Sequence, residues 1–196
     1  GQVWYLGVHN GILMCGHDNG TYVVSGGRAD LINNIPGGWK YLELKHFPGF
    51  MIGGTYNGII LFRWEHGSWK YVRQISGFNE SFRVFEEDDE GNIWMSHGFK
   101  GIFRVRLSDD LETVADQRFY TVADGLPSNY YLSVFKIKGK IIIASENGIF
   151  EHVPGDDRFV ESVYFNQLLK PLVKISYLKE DQEGNIWYVS DNRTGV

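Results

Sequence analysis

Asp88-Asp89-Glu90-Gly91-Asn92-Ile93-Trp94 returns further along the chain as Asp181-Gln182-Glu183-Gly184-Asn185-Ile186-Trp187. Each copy sets an Asp at the first place of a turn and a Gly at the fourth, as a type I turn prefers, and runs into an apolar segment ending in Trp. Around these two copies a looser frame repeats: a glycine, an apolar strand, a short polar turn, a second glycine and another apolar strand. Residues 11–22 (GILMCGHDNGTY), 49–60 (GFMIGGTYNGII) and 139–150 (GKIIIASENGIF) fit it. The leading glycines are Gly11, Gly49, Gly91, Gly139 and Gly184, spaced by 38, 42, 48 and 45 residues. The two glycines within a copy lie 9, 9, 10, 9 and 11 residues apart, so variable turns absorb the differences. A period near 43 with several strands in each period is that of a β-propeller blade. Helical repeats of similar length would show a 3.6-residue periodicity and few glycines, whereas this chain has 24 glycines.

The blade around the first copy reads as strand A at Ser81–Glu87, strand B at Asn92–Ser96, strand C at Ile102–Leu107 and strand D at about 117–122. The turn His97–Lys100 joins B to C. Gly125-Leu126-Pro127-Ser128-Asn129 then leads to the next strand A. The expectation is an all-β protein, a β-propeller of about 4.5 four-stranded blades. The repeats fall at approximately 1–38, 39–80, 81–128, 129–171 and an incomplete 172–196.

Composition narrows the function. The 196 residues are 43% hydrophobic and 22% charged, which is globular, and 19 Lys+Arg against 24 Asp+Glu leave a net charge of −5. Such a chain offers no broad basic face, so contact with nucleic acid is not expected. No apolar run is long enough for a transmembrane helix, and no signal peptide opens the chain. Cys15 is the single cysteine and can form neither an internal disulfide nor a cysteine-based zinc site.

The run Asp-x-x-Gly-Asn-Ile-Trp, with a polar turn and Gly101-Ile102-Phe103 after it, resembles the two-component-regulator propeller repeat. So does Gly125-Leu126-Pro127-Ser128-Asn129. The copies at Gly11, Gly49 and Gly139 keep the frame without the Gly-Asn-Ile-Trp signature. The resemblance implies the periplasmic sensor region of a bacterial hybrid two-component system, with a histidine kinase, and recognition of oligosaccharide breakdown products. It implies a larger protein in which membrane tethering, kinase, receiver and DNA-binding parts lie outside this segment. On that reading the chain is an open fragment of a larger, seven-bladed propeller, itself not an enzyme. Its unpaired sides invite self-association as a homodimer.

Strand parity sorts the loops. Antiparallel strands put the A–B and C–D turns at one end of each blade and the B–C and D–A loops at the other. The regular Asp-x-x-Gly turns occupy the first end. The B–C turns differ from blade to blade: His17–Asn19, Thr55–Asn57, Ser96–Lys100, Ser145–Asn147 and Ser190–Thr194. So do the D–A loops at Asn33–Trp39, Gly77–Glu80, Gly125–Tyr130 and Asn166–Pro171. Variable loops on a rigid scaffold are where binding residues sit. A sugar ligand calls for planar donors and acceptors, aromatic faces and, for an acidic sugar, a cation. Tyr56, His97, Lys100, Tyr130, Asp191, Arg193 and Trp39 supply these at the second end. Each reads equally as a solvated turn residue, and Trp39 as a residue buried between blades.

No cofactor, metal site or catalytic group is expected. None of the six histidines (9, 17, 46, 66, 97 and 152) forms a metal-type pair. The acidic clusters at Glu86–Glu90 and Asp156-Asp157 lack the alternating ligands of a calcium loop. Asp89-x-Gly91-x-Ile93-Trp94 approaches the Asp box of sialidase-type propellers, a structural element, but the flanking Ser and Thr are absent. The alternatives are a propeller-fold lyase or glycosidase, which needs two acids facing across a bond or a His–Tyr pair in a pocket, and a protein-interaction scaffold.

Overall fold

The computed structural model describes residues 1–169, 174–191 and 193–196. The expected β-propeller blades are present as four-stranded antiparallel meanders, with a three-stranded fifth. Blade 1 comprises β1 (Val3–His9), β2 (Ile12–His17), β3 (Gly20–Ser25) and β4 (Arg28–Asn33). Blade 2 comprises β5 (Lys40–Glu43), β6 (Phe50–Thr55), β7 (Gly58–Glu65) and β8 (Ser68–Ile75). Blade 3 comprises β9 (Val84–Glu87), β10 (Asn92–His97), β11 (Gly101–Leu107) and β12 (Val114–Tyr120). Blade 4 holds β13 (Ser133–Ile137), β14 (Lys140–Ser145), β15 (Gly148–Val153) and β16 (Arg158–Glu161). Blade 5 holds β17 (Ile175–Glu180), β18 (Ile186–Ser190) and β19 (Arg193–Gly195). Lys170 and Pro171 of the last D–A loop, the repeat boundary at 171–172, and Asn192 of the last B–C turn lie outside the described residues.

These residues form two compact units, 1–83 with 106–116 and 84–105 with 117–196. In the first, Met14 of blade 1 is buried with Tyr41, Met51, Ile60, Phe62 and Trp69 of blade 2. The tip at 106–116 is tied to β8 through Ser76, which bridges Thr113 in parallel. The Ser76 N–H donates to the Glu112 carbonyl at 2.9 Å, and Arg73 pairs with the Glu112 carboxylate. In the second unit, Trp94, Ile102 and Tyr120 of blade 3 bury against Val134, Ile141, Ile143 and Phe159 of blade 4. Phe135, Ile142 and Ile149 of blade 4 bury with Phe165, Ile175 and Leu178 on the way to blade 5. Alternation along each strand thus feeds opposite faces into successive inter-blade cores, and each buried aliphatic or Phe side chain contributes about 1.5–3 kcal/mol. Cys15 is part of this packing in β2, and burial pushes its thiol pKa up.

The repeated Asp turn has a physical account. One oxygen of Asp88 accepts the Glu90 and Asn92 backbone N–H groups, both at 2.9 Å; the other accepts Asn92 Nδ2 at 2.8 Å and Trp94 Nε1 at 2.7 Å. Asp181 does the same with Glu183, Asn185 and Trp187, the indole donating at 2.8 Å. Asp, Gly, Asn and Trp are therefore one hydrogen-bonded unit. The two Trp rings end differently: Trp94 is 2% exposed and Trp187 49%. His152 and Phe159 of blade 4 cover Trp94.

The second glycine of the frame opens strand C where the returning chain comes close. A Cβ on Gly20 would lie 2.1 Å from the Asn33 carbonyl oxygen, and one on Gly101 2.3 Å from that of Tyr120, and their φ values are +139° and +118°. Only glycine fits both the space and the backbone.

Three local expectations are corrected. Strand A of blade 3 begins at Val84 rather than Ser81. Strand D runs Val114–Tyr120 rather than 117–122, because Thr121 caps a single 3-10 turn at Val122–Asp124. Its hydroxyl accepts the Ala123 N–H at 3.2 Å, while Asp124 accepts the Thr121 N–H at 2.8 Å. The D–A loop placed at Asn166–Pro171 overlaps a short helix, α1 (Val163–Leu168), capped by Ser162 and anchored by buried Phe165.

Candidate functional site

In blades 1 to 4 the B–C turn starts from the last side chain of strand B, which accepts a backbone N–H two residues on. Nδ1 of His17 accepts from Asn19 at 3.0 Å and that of His97 from Phe99 at 3.0 Å; the hydroxyls of Thr55 and Ser145 accept from Asn57 and Asn147, both at 3.1 Å. His, Thr and Ser are interchangeable here because each offers a short acceptor to an otherwise unpaired turn amide. Two of the six histidines are thereby turn caps, and with Nδ1 accepting, the proton of His97 sits on Nε2.

In the first unit the B–C and D–A loops of blades 1 and 2 knit around Asp18. Its carboxylate accepts the Gln2 backbone N–H at 2.8 Å, Trp4 Nε1 at 2.7 Å and the Tyr56 hydroxyl at 3.0 Å. The Gln2 and Trp4 bonds hold the Asp18 carboxyl below its ordinary pKa. Trp39 packs against Trp4 at 4.4 Å and Tyr56 at 5.3 Å, and the Arg83 guanidinium lies 4.2 Å from its ring centroid. Trp39 is buried, and its Nε1 meets no acceptor among the described residues. Of the sequence candidates the structure brings Tyr56 and Trp39 together here, with Tyr56 at the surface and Trp39 beneath it.

The second unit presents a different surface. The D–A loop after blade 3 meets the blade 3 B–C turn where the Tyr131 N–H donates to the Gly98 carbonyl at 3.3 Å. His97 lies 6.4 Å from both Phe99 and Phe103; Phe99 lies 6.2 Å from Tyr131 at 75°, and Phe103 stacks on Phe119 at 4.6 Å. Phe99, Tyr130 and Tyr131 are exposed. His97, Lys100 and Tyr130 are the sequence candidates on this surface, and Phe99, Phe103, Phe119 and Tyr131 join them only in the fold. Asp191, at φ +49°, and Arg193 are exposed beside the blade 5 B–C turn, and the Asp191 N–H donates to the Lys174 carbonyl at 3.5 Å.

Toward the other end of this unit Asp157 gathers four donors. Tyr120 OH lies at 2.6 Å, His152 Nε2 at 3.1 Å, an Arg104 nitrogen at 3.2 Å and Arg118 Nε at 3.4 Å. Burial lowers the His152 pKa against the opposing pull of Asp157. Here a His and a Tyr do meet. Both are largely buried and both bond the same carboxylate, which ties blade 4 to blade 3. No group of three or more His, Cys, Asp or Glu suited to a metal occurs among the described residues, and none of their helices is long and apolar enough to cross a membrane.

No family model matches the sequence, and no curated protein matches it. Solved structures do. The extracellular domain of BT3049 from B. thetaiotaomicron, assigned to the hybrid two-component systems, superposes with a TM-score of 0.67 at 21% identity, covering 96% of this chain and 25% of that one. The extracellular domain of BT4673 from the same organism, assigned likewise, gives 0.70 at 16% identity with the same coverages. Virginiamycin B lyase from Staphylococcus aureus gives 0.61 at 14% identity, covering 96% of this chain and 63% of that one. The chain spans about a quarter of the length of the two extracellular domains it matches. At these identities the likeness shows the fold: the chain is a segment of β-propeller.

Proposed function

We propose that this chain is part of the extracytoplasmic, periplasmic sensor domain of a hybrid two-component protein, and that it serves recognition of oligosaccharide breakdown products rather than catalysis. The observation that carries this is the shared fold over 96% of the chain with two extracellular domains assigned to such systems. The repeat signature at Asp88–Trp94 and Asp181–Trp187 supports it independently. Ligand binds at the end bearing the B–C and D–A loops, where aromatic and hydrogen-bonding side chains are exposed. Two subunits associate, and ligand favours one of their arrangements through its higher affinity for it, which passes the signal to a histidine kinase. The lyase likeness keeps a propeller enzyme as the second reading, but the His152–Tyr120 pair is engaged with Asp157 and buried. The test is calorimetry of the intact protein against a panel of oligosaccharides. Saturable heat without turnover supports the sensor. Turnover favours the enzyme, and no heat from any sugar contradicts recognition.

A further inference from the structure

The Asp18 cluster of the first unit holds more hydrogen-bond donors than its acceptors can satisfy. Asp18 is the carboxylate at its centre, and three donors already occupy it: the Gln2 N–H, Trp4 Nε1 and the Tyr56 hydroxyl. Two donor groups beside it are left over. Trp39 is 9% exposed, and its Nε1 has no acceptor among the described residues. The Arg83 guanidinium lies 4.2 Å from the Trp39 ring centroid, at the surface, with neither an ion pair nor a hydrogen bond among those residues. Elsewhere Arg28, Arg63, Arg73, Arg104 and Arg118 each pair with a carboxylate.

The surrounding fold keeps these donors from finding partners of their own. The D–A loop of blade 1 ends in Trp39 and is pinned by backbone N–H bonds from Gly37 to Asp18, from Gly38 to His17 and from Trp39 to Gly54, at 3.2, 3.3 and 3.0 Å. The Trp39 ring is wedged against Trp4 and Tyr56. A buried N–H without an acceptor is costly, so its persistence in a native fold calls for a cause. The other such donor among the described residues, Asn33 Nδ2, stands at the opposite end of the same loop.

The missing partner is an acceptor that carries negative charge, because Arg83 is a permanent cation. A carboxylate serves both donors: its two oxygens match the guanidinium fork, and one of them also accepts from an indole N–H. Asp18 opposes a second anion, and Arg83 offsets it. Desolvation and the bond to Asp18 raise the Tyr56 pKa while Arg83 pulls it down, so the two charges flank one hydroxyl. Trp4 and Tyr56 are 37% and 36% exposed, and this aromatic surface favours a carboxylate that carries an apolar body.

We propose that Arg83 and Trp39 form a receptor for a small organic carboxylate with an apolar body, Arg83 taking its charge, Trp39 Nε1 donating to it, and Trp4 and Tyr56 lying against the body. Trp39 Nε1 is shielded and Arg83 is at the surface, so the ligand meets Arg83 first and draws its side chain off the ring. This receptor does not depend on oligosaccharide recognition and is tested apart from it.

Calorimetry of the intact protein with benzoate, benzamide, acetate, glucuronate and inorganic phosphate is the experiment. Benzoate binds saturably. Benzamide, which lacks the charge, and acetate, which lacks the ring, bind at least about tenfold more weakly. Arg83→Gln changes an exposed side chain, keeps the fold and weakens benzoate by about tenfold or more. Trp39→Phe keeps a ring in the packed position but removes the N–H, and weakens benzoate by about threefold or more. Thermal melts show whether each variant is folded; if Trp39→Phe is not, Arg83→Gln decides alone. No benzoate binding by the native protein, or unchanged affinity in Arg83→Gln, overturns the receptor and leaves the oligosaccharide titration as it was. Unchanged affinity in a folded Trp39→Phe, as an internal water on Nε1 would give, overturns the part assigned to Trp39. Tighter binding of phosphate or glucuronate than of benzoate overturns the apolar carboxylate.

Discussion

Asp88 shows how much one side chain decides. Its two oxygens take four donors, among them the indole of Trp94, which blade 4 then buries. Burial works against the ionised carboxyl, but the bonds from Trp94, Asn92 and Glu90 outweigh it and hold its pKa below the ordinary value. Replacing Asp88 by Ala leaves a buried indole N–H without an acceptor. We expect it to destabilise the protein by about 1–3 kcal/mol in urea denaturation, and Asp88→Asn to cost less, since the amide oxygen still accepts. Asp181, whose carboxyl the Trp187 and Asn185 bonds lower from 3.8 to about 2, gives the pH counterpart. A carboxyl depressed in the folded state adds stability above its unfolded pKa and loses it as pH falls through the folded one. The urea midpoint therefore declines between about pH 4 and pH 2, less steeply in Asp181→Asn; equal slopes in the two proteins would contradict this. The Asp-x-x-Gly-Asn-Ile-Trp spacing was legible in the sequence because all its partners lie within seven residues. The Asp18 cluster was not. Gln2 and Trp4 reach it from the start of blade 1 and Tyr56 from the B–C turn of blade 2, and no local pattern marks the meeting.

At the scale of the element, the glycines that open strand C differ from those in the A–B turns. Gly101 has a carbonyl oxygen 2.3 Å from where a Cβ would stand, whereas Gly11 has nothing within 4 Å. Both have positive φ, so Gly11→Ala meets only the backbone strain, about 1–2 kcal/mol. Gly101→Ala adds displacement of the Tyr120 carbonyl and is expected to cost about 3 kcal/mol or more. Paired thermal melts check this, and equal losses would contradict the close approach. Strand order and the four-stranded blade were readable from glycine spacing and period-2 alternation. Helix α1 was not, because its six residues bury only Phe165 and its N-cap Ser162 looks like any loop serine. The aromatic residues around His97 escaped for a related reason. Phe99, Phe119 and Tyr131 belong to a turn, a strand end and a loop, and only the pairing of β11 with β12 and the return of the D–A loop set their rings side by side. Knowing that both loops share one end of the blade, and scanning them for exposed aromatics, would have found Tyr131 and Phe99 beside the named Tyr130 and His97.

For the molecule as a whole, each blade has two ends with different duties. The A–B and C–D turns carry bonds that hold blades in shape, at Asp88, Asp181 and Asp157 with its four donors, and Asp18 with its three adds another in the B–C turn of blade 1. In blades 1 to 4 a short local cap satisfies a backbone N–H of the B–C turn. On the proposed reading, the exposed side chains of these turns and of the D–A loops are the ones that meet a ligand. Hydrogen exchange on the intact protein, with and without a saturating oligosaccharide that it binds, tests the division most directly. Protection is expected in peptides covering the B–C turns and D–A loops, above all residues 97–100 and 128–131, with the A–B and C–D turns at 88–91 and 154–157 unchanged. Protection confined to those latter turns, or none at residues 97–100 and 128–131, would contradict it.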